Sequence, residues 1–246
     1  MPSERPSHVY DEAVASHYAA YRPPLHQVIV SDVLAGRAYA NGLDVGCGTG
    51  RSSVALGPLC GHVLGCDPSP EMIAAATPQP GISYVCGTLD AVTRPDGGFD
   101  VVSFAGVLAY LDAEATLKTL RQLCAPGAHV LVYDFRVQVE DVLACLNVGV
   151  EAGDSGYDHR RNFEAHVGVE TVTQGQKGVT LAATATEAAH VLLSSAERYA
   201  ALQDVFGTDG LLRQVADRLV AQGFGGQITA QTYWTLHRLI GVQSRA

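Results

Sequence analysis

Short apolar runs separated by helix-like stretches organise residues 1–136. The runs are bounded by glycine, proline or acidic residues, as is typical of buried strands, and apolar residues between them recur at helical spacing. Alternation of strand and helix predicts a parallel sheet covered on both faces. The predicted strands are 42–46, 62–67, 82–86, 99–104 and 128–135, and the predicted helices are 9–21, 25–34, 51–59, 70–76 and 113–124.

The remaining part of the chain, residues 137–246, has a less regular pattern. Apolar alternation on both sides of Gly175 and Gly178 predicts a β-hairpin formed by 167–173 and 178–183. We expect this part to cover the mouth of the sheet. Its other predicted elements are a polar loop at 154–161, helices at 186–205 and 210–222, and a strand region at 227–242 that is either continuous or divided in two.

Composition excludes several classes of partner. The chain of 246 residues carries a net charge of -9, which argues against nucleic acid because phosphate binding needs an excess of Lys and Arg. The single small basic cluster is Arg160-Arg161, beside His159. No apolar run reaches the roughly 18 residues of a membrane span, and the N-terminal residues lack the apolar region of a signal peptide. We therefore expect a cytoplasmic protein without a membrane partner.

The six cysteines favour buried, reduced thiols. None forms a Cys-x-x-Cys pair, and they are too scattered for a zinc site or for the disulfide framework of a short secreted chain. No Asp-Asp-Asn cluster suited to magnesium is evident in the sequence, so no metal is expected.

A glycine-rich turn after the first predicted strand is the most informative motif. Gly46, Gly48 and Gly50 stand at alternate positions, with Cys47 between the first two, and would allow a tight turn and a close approach of backbone to ligand. Asp44 precedes them. An acid directed at the ligand suits a cationic amine and would repel a pyrophosphate.

A second acid strengthens this interpretation. Asp67 ends the next predicted strand, 23 residues after Asp44, where a carboxylate can bind both hydroxyls of a ribose. The spacing therefore predicts a nucleoside-containing ligand at this turn.

These motifs resemble those of the class I S-adenosylmethionine-dependent methyltransferases, and the chain is most similar to the small-molecule branch of the ubiquinone and menaquinone biosynthesis type. The resemblance covers roughly residues 8–136. It implies a Rossmann-like, doubly wound α/β fold with a mostly parallel seven-stranded sheet. It also implies S-adenosyl-L-methionine as the cofactor and S-adenosyl-L-homocysteine as the product.

The resemblance extends to the residues expected around the cofactor. It implies that Met72, in the segment that begins at Pro68, packs on the adenine. At the position of the family's usual aspartate this chain has Thr88, which leaves Leu89 for a backbone contact and Asp90 for a polar one. The cofactor-binding set implied in this way is Tyr18, Tyr21, Asp44, Gly46, Cys47, Gly48, Gly50, Asp67, Pro68, Met72, Thr88, Leu89, Asp90 and Ala105.

The resemblance also divides the chain. Residues 1–36 form an N-terminal helical lid, whose Tyr18 and Tyr21 lie over the methionine end of the cofactor. Residues 37–136 form the cofactor-binding core. Residues 137–246 supply a cap for the substrate and the last part of the sheet.

Methyl transfer to a hydroxyl or an ammonium requires a base, and the sequence offers several. Tyr110 follows the fourth strand, Asp134 ends the fifth and His17 lies in the lid; these are the predicted catalytic residues. His159 and His166 are further candidates, and Arg136 and Arg160 could grip an acceptor carboxylate.

The sequence therefore predicts an enzyme, a monomer or homodimer, that transfers a methyl group to oxygen or nitrogen of a small organic acceptor. Three alternatives stay open: a non-methylating enzyme such as a cyclase, a sensor that holds the cofactor without turnover, and a methyltransferase for peptides or proteins.

Overall fold

The computed structural model describes residues 12–149 and 157–241. Within these ranges, seven strands form one sheet in the order β3-β2-β1-β4-β5-β7-β6. The neighbouring pairs β1–β2, β1–β4, β2–β3 and β4–β5 are parallel. The strands are β1 Tyr39–Val45, β2 Cys60–Asp67, β3 Ile82–Cys86, β4 Phe99–Ala105, β5 Cys124–Gln138, β6 Val169–Ala182 and β7 Gln227–Leu239.

Nine helices occur in the same described ranges. Their order in the first half of the chain alternates with the strands, which confirms the predicted doubly wound α/β fold. The helices are α1 Glu12–Ala20, α2 Leu25–Val33, α3 Arg51–Leu56, α4 Pro70–Ala74, α5 Ala113–Leu123, α6 Glu140–Leu146, α7 Ala185–Leu193, α8 Ala196–Phe206 and α9 Leu211–Ala221.

Both faces of the central strands are apolar. Side chains of a strand alternate between the faces, so Val102 of β4 packs in a cluster with Leu117 and Leu120 of α5. Val101, its neighbour, packs with Ile29 of α2 on the other side. This double burial explains why the strands read as continuous apolar runs in the sequence.

The chain divides into two compact units, each made of separate segments. The first, the sheet unit, comprises Pro24–Arg136, Gly156–Lys177 and Gln231–Ala246; the second, the helical unit, comprises Met1–Pro23, Val137–Ser155 and Gly178–Ala230.

The helical unit has an apolar core of its own. Leu192 of α7 and Val215 and Leu219 of α9 are fully buried within one cluster. A capping box begins α7, because the Thr184 hydroxyl accepts the Glu187 N–H at 3.2 Å while the Glu187 carboxylate accepts the Thr184 N–H at 2.7 Å.

The predicted hairpin around Gly175 and Gly178 is wrong: both glycines lie inside the single strand β6. Neither has a positive φ. Gly175 instead makes room for Trp234 of β7, since a Cβ atom there would lie 2.6 Å from the indole ring. In a strand, glycine can mark a close approach rather than a turn.

Two smaller differences concern helices. The predicted helix 186–205 is interrupted after Leu193, where the Ser194 hydroxyl donates to the Val191 carbonyl at 2.8 Å, and α6 is a helix that the sequence pattern does not predict. The strand region 227–242 is one continuous strand, which is one of the two predicted alternatives. Predictions that fall on residues 9–11 and 154–156 lie outside the described residues. Among the described helices, none is long and apolar enough to cross a membrane.

Candidate functional site

The glycine-rich turn is fixed to the neighbouring strand by its backbone. The N–H groups of Gly46 and Cys47 both donate to the Cys66 carbonyl of β2, at 2.8 and 3.0 Å. Gly46 has a φ of 67°, and a Cβ atom there would lie 2.5 Å from Val107 Cγ2. A side chain at this position is therefore excluded twice, by conformation and by contact.

Gly48 occupies the open side of the turn. Its φ is 53°, and no atom lies within 4 Å of the place where a Cβ would be, so a ligand can approach the backbone closely. Its N–H donates to Asp67 Oδ2 at 2.9 Å, and the Ser69 N–H donates to Oδ1 at the same distance. Each carboxylate oxygen can accept more than one hydrogen bond, so both retain capacity for ligand hydroxyls.

Asp44 takes a different place from the one expected for an acid directed at a ligand. Its carboxylate is fully buried and accepts hydrogen bonds from three serine hydroxyls. Burial raises the pKa of Asp44, and the three hydroxyls oppose this effect. The carboxylate therefore ties the turn to the helix and strand around it. The three donors are Ser52 Oγ at 2.5 Å, Ser53 Oγ at 2.7 Å and Ser103 Oγ at 2.7 Å.

The cysteines next to the turn are buried and neutral. Burial raises the pKa of Cys66 to about 12 and also raises the pKa of Cys47 above its usual range. Any part that Cys47 takes in binding would come from its backbone.

The segments predicted to surround the adenine follow β2 and β3. The Ser69 hydroxyl caps α4 by accepting the Met72 N–H at 3.1 Å. The Met72 side chain is 45% exposed, which is unusual for methionine and leaves its thioether available to a ligand.

The other predicted binding residues lie at the ends of β2, β3 and β4. Pro68, Thr88 and Asp90 are exposed, and Leu89 and Ala105 are partly buried. Because carboxyl ends of parallel strands meet at one edge of a sheet, these residues and the glycine-rich turn share that edge.

An acid and a histidine pair at the end of β5. His159 Nδ1 lies 2.8 Å from Asp134 Oδ2, and the Phe135 N–H donates to Oδ1 at 2.7 Å. Since a carboxylate only accepts, Nδ1 carries the proton in this pair. Within the described ranges no group bonds to His159 Nε2, so this nitrogen is available as a base.

Tyr157 helps to hold His159 at this position. Its hydroxyl donates to the Gly106 carbonyl, just after β4, at 2.8 Å, and its ring lies edge-on to that of His159 at 4.8 Å. Burial and the Asp134 carboxylate raise the pKa of Tyr157, so the phenol stays protonated as a donor. The sequence indicated Asp134 and His159 separately, and the structure brings them together.

An open cleft of about 480 Å³ adjoins His159 within the sheet unit. Tyr233 of β7 stacks on the imidazole, with ring centroids 5.7 Å apart and planes 12° apart. No local sequence pattern indicates this cleft, because its wall is formed by four separate stretches of the chain. The lining residues are Val132, His159, Arg160, Arg161, Asn162, Glu164, Gln174, Gly175, Gln176, Tyr233, Trp234 and Thr235.

The two other predicted catalytic residues are Tyr110, in the sheet unit, and His17, in the helical unit. Tyr110 is 71% exposed on a short turn after β4, with its ring 6.3 Å from that of Tyr157. His17 belongs to the helical unit, where its Nδ1 lies 3.0 Å from His190 Nδ1. Burial, followed by the charge of His190, lowers the pKa of His17.

The lid tyrosines are also in the helical unit. Tyr18 is 42% exposed, and the Arg22 guanidinium lies over its ring at 3.2 Å. Tyr21 packs against the apolar core of that unit, and burial raises its pKa. Their contact with the cofactor stays a prediction.

Comparison with known proteins gives one family match and several solved structures with a similar fold. Residues 43–132 match the methyltransferase domain family. No curated protein matches the chain in sequence. Solved structures that it resembles include a candidate type II methyltransferase from Anaeromyxobacter dehalogenans, with a TM-score of 0.64 and 20% identity over 90% of this chain and 100% of that chain.

Two further solved structures share the fold. A candidate methyltransferase from Bacillus halodurans has a TM-score of 0.52 and 14% identity, over 87% of this chain and 99% of that one. The (4+2)-cyclase SpnF has a TM-score of 0.50 and 16% identity, over 89% of this chain and 81% of that one. At such identities the likeness concerns the fold.

Proposed function

We propose that this chain, which belongs to the class I S-adenosylmethionine-dependent methyltransferases, transfers a methyl group to an oxygen or nitrogen atom of a small organic acceptor. The observation that carries the proposal is the Asp134–His159 pair, which places an available imidazole nitrogen beside an open cleft. A non-enzymatic binding protein would have no need for an oriented base at this position.

The residues at the edge of the sheet fit S-adenosylmethionine. Gly48 leaves room for close approach, and both oxygens of Asp67 can accept from ribose hydroxyls. Met72 exposes an apolar surface suited to an adenine ring. Asp44, which is buried and hydrogen-bonded to serines, would stabilise the conformation of the turn.

When bound, the cofactor would supply an electrophilic sulfonium methyl carbon to the acceptor lone pair, with S-adenosylhomocysteine as the leaving product. His159 Nε2 would take the proton of the acceptor hydroxyl or ammonium. Asp134, bonded to Nδ1, fixes the tautomer and stabilises the imidazolium that results. The proton count therefore balances within the pair.

Geometry has a further part in this reaction. A sulfonium leaves as a neutral thioether and needs no acid, so correct orientation of the two reactants supplies much of the rate, on the order of 7–11 kcal/mol in favourable cases. Tyr157 and the Phe135 N–H, which hold His159 and Asp134 in place, support such orientation.

A cyclisation without methyl transfer is the second candidate, because the fold is shared with the (4+2)-cyclase SpnF. In that case the cofactor would be retained unchanged. The fate of the methyl group separates the two functions.

The test is incubation with methyl-labelled S-adenosylmethionine and fractionated small molecules from cell extract. We expect label in a low-molecular-weight product, with clearly less from Asp67→Ala when the cofactor concentration is below its Kd, and normal amounts from Glu114→Ala, an exposed acid on α5 that serves as the matched control. Label in protein would point to a peptide or protein acceptor. Cofactor binding by calorimetry without any transfer would contradict methyl transfer.

A further inference from the structure

The cleft beside His159 carries two cations that have no carboxylate partner. Among residues 12–149 and 157–241, no carboxylate lies within ion-pair distance of Arg160 or Arg161. Several other described cations, such as Arg37 and Arg218, also lack an acidic partner, so the significant point is that two such guanidinium groups line the same cleft. They do so in a chain of net charge -9.

The positions of the two side chains suit an anion in the cleft. Arg160 donates through Nη2 to the amide oxygen of Gln176 at 2.7 Å, which directs a planar fork while leaving its other N–H groups available. Arg161 makes only a long contact of 3.4 Å to the Leu111 carbonyl. Glu164 is the one acid among the lining residues.

The other walls of the cleft are formed largely by planar side chains. Tyr233 stacks on His159, and the Arg160 guanidinium lies 5.5 Å from the centre of the same ring. Trp234 also lines the cleft, and the missing side chain of Gly175 lets its indole lie close to β6. Aromatic rings and guanidinium planes favour planar ligands.

We infer that the acceptor is a planar, aromatic or conjugated acid, whose carboxylate binds Arg160 and Arg161 while its hydroxyl or amino group meets His159 Nε2. Only the contact between the hydroxyl or amino group and His159 Nε2 rests on the proposed function. A cavity of about 480 Å³ accommodates a small molecule of this kind.

The chain provides a direct reporter, because Trp234 is its single tryptophan. We would titrate the full-length protein with 4-hydroxybenzoate and with 4-hydroxybenzamide, which has nearly the same shape without the charge, and follow the indole fluorescence. The expected result is saturable quenching by the acid, with a Kd about tenfold lower than that of the amide, since a charge-assisted bond is stronger than a neutral one.

Two variants test whether Arg160 is responsible for the preference for the acid. Arg160→Gln should weaken binding of the acid about tenfold and leave binding of the amide unchanged, whereas Arg213→Gln, an exposed arginine on α9, should change neither. Far-ultraviolet circular dichroism checks that each variant is folded. Should Arg160→Gln fail to fold, salt gives an independent test, because Kd of the acid for the wild-type protein should rise with ionic strength and that of the amide should not.

Equal affinity for acid and amide, or binding of the acid that is indifferent to Arg160→Gln and to salt, would overturn the inference. Absence of any quenching would do the same. Binding is read without the cofactor, so quenching that depends on Arg160 but is followed by no methyl transfer would count against the proposed function alone. Transfer of label to neutral molecules only would count against the acidic acceptor alone.

Discussion

Two aspartates at the same edge of the sheet have opposite surroundings. Asp44, near the end of β1, is fully buried and accepts from three serine hydroxyls, so its hydrogen bonds are made within the protein. Asp134, near the end of β5, keeps 17% of its side chain exposed and orients a histidine toward a cleft. The contrast teaches that an acid next to a ligand site can either build the site or take part in its chemistry.

The largest effect is expected at Asp134 and His159. Asp134→Asn and His159→Gln should each lower kcat about 10²–10⁴-fold, the range of general base catalysis, because the acceptor proton then lacks an oriented base. Cofactor affinity should stay unchanged. Steady-state kinetics with the identified acceptor, and calorimetry with the cofactor, measure the two quantities.

The conservative control for this pair is Tyr110→Phe, which removes an exposed hydroxyl on the same edge. We expect it to retain most of the activity. A loss equal to that of His159→Gln would transfer the role of base to Tyr110 and break the comparison.

His237 provides a test of whether burial alone keeps a titratable group unprotonated. It is fully buried in β7, where Nε2 accepts the Phe163 N–H and Nδ1 donates to Thr171 Oγ1, both at 3.3 Å. Burial lowers its pKa from 6.5 to about 4. In this pH range the unfolded chain therefore binds a proton at His237 that the folded chain does not bind. The free energy of unfolding should fall by up to about 3 kcal/mol as the pH drops from about 6.5 to 4.

Urea unfolding at several pH values measures this loss. His237→Leu should have lower stability at pH 7, since it removes the acceptor of the Phe163 N–H, but a smaller loss on acidification. The half-buried His17, His129 and His190, whose pKa values burial also lowers, account for the remainder. An unchanged pH dependence in His237→Leu would contradict this assignment.

Asp44→Asn tests the role of the buried Asp44 carboxylate. The amide accepts fewer of the three serine hydrogen bonds, so the free energy of unfolding should fall by about 2 kcal/mol. Urea unfolding gives the stability and calorimetry the affinity for the cofactor. A large loss of affinity at unchanged stability would show that Asp44 contacts the ligand, as the sequence predicts, and that it does not act by holding the turn.

Asp67→Ala should have the smallest effect, a roughly tenfold to thirtyfold weaker binding of the cofactor in calorimetry, because charge-assisted bonds to ribose are lost from a solvent-accessible position. Stability should change little. Asp96→Ala, at an exposed turn, is the matched control. Unaltered affinity in Asp67→Ala would disprove the ribose assignment.

The central strands and the glycine-rich turn could be predicted because their determinants are local. The predicted strand 82–86 has the ends that β3 has in the structure, and the glycine motif correctly indicates the positive φ of Gly46. The burial and hydrogen bonding of Asp44 could not be predicted, because Ser103, one of its donors, is 59 residues away in sequence.

The Asp134–His159 pair and the cleft beside it depend on contacts between distant segments. His159 joins Asp134 across 25 residues, and no spacing rule indicates which of several histidines does so. The pattern predicts a turn at Gly175, because local sequence does not distinguish a glycine that bends the chain from one that admits the ring of Trp234.

Apart from Val132, the residues that line the cleft beside His159 follow residues 43–132, the part that matches the methyltransferase family. On the proposed function, the residues that bind the cofactor and those that bind the acceptor would be encoded largely in separate stretches of the gene. Residues 157–176 and 231–235 could then be exchanged for new substrates while the glycine-rich turn stays unchanged. For an engineer, these stretches are the natural place to build a library.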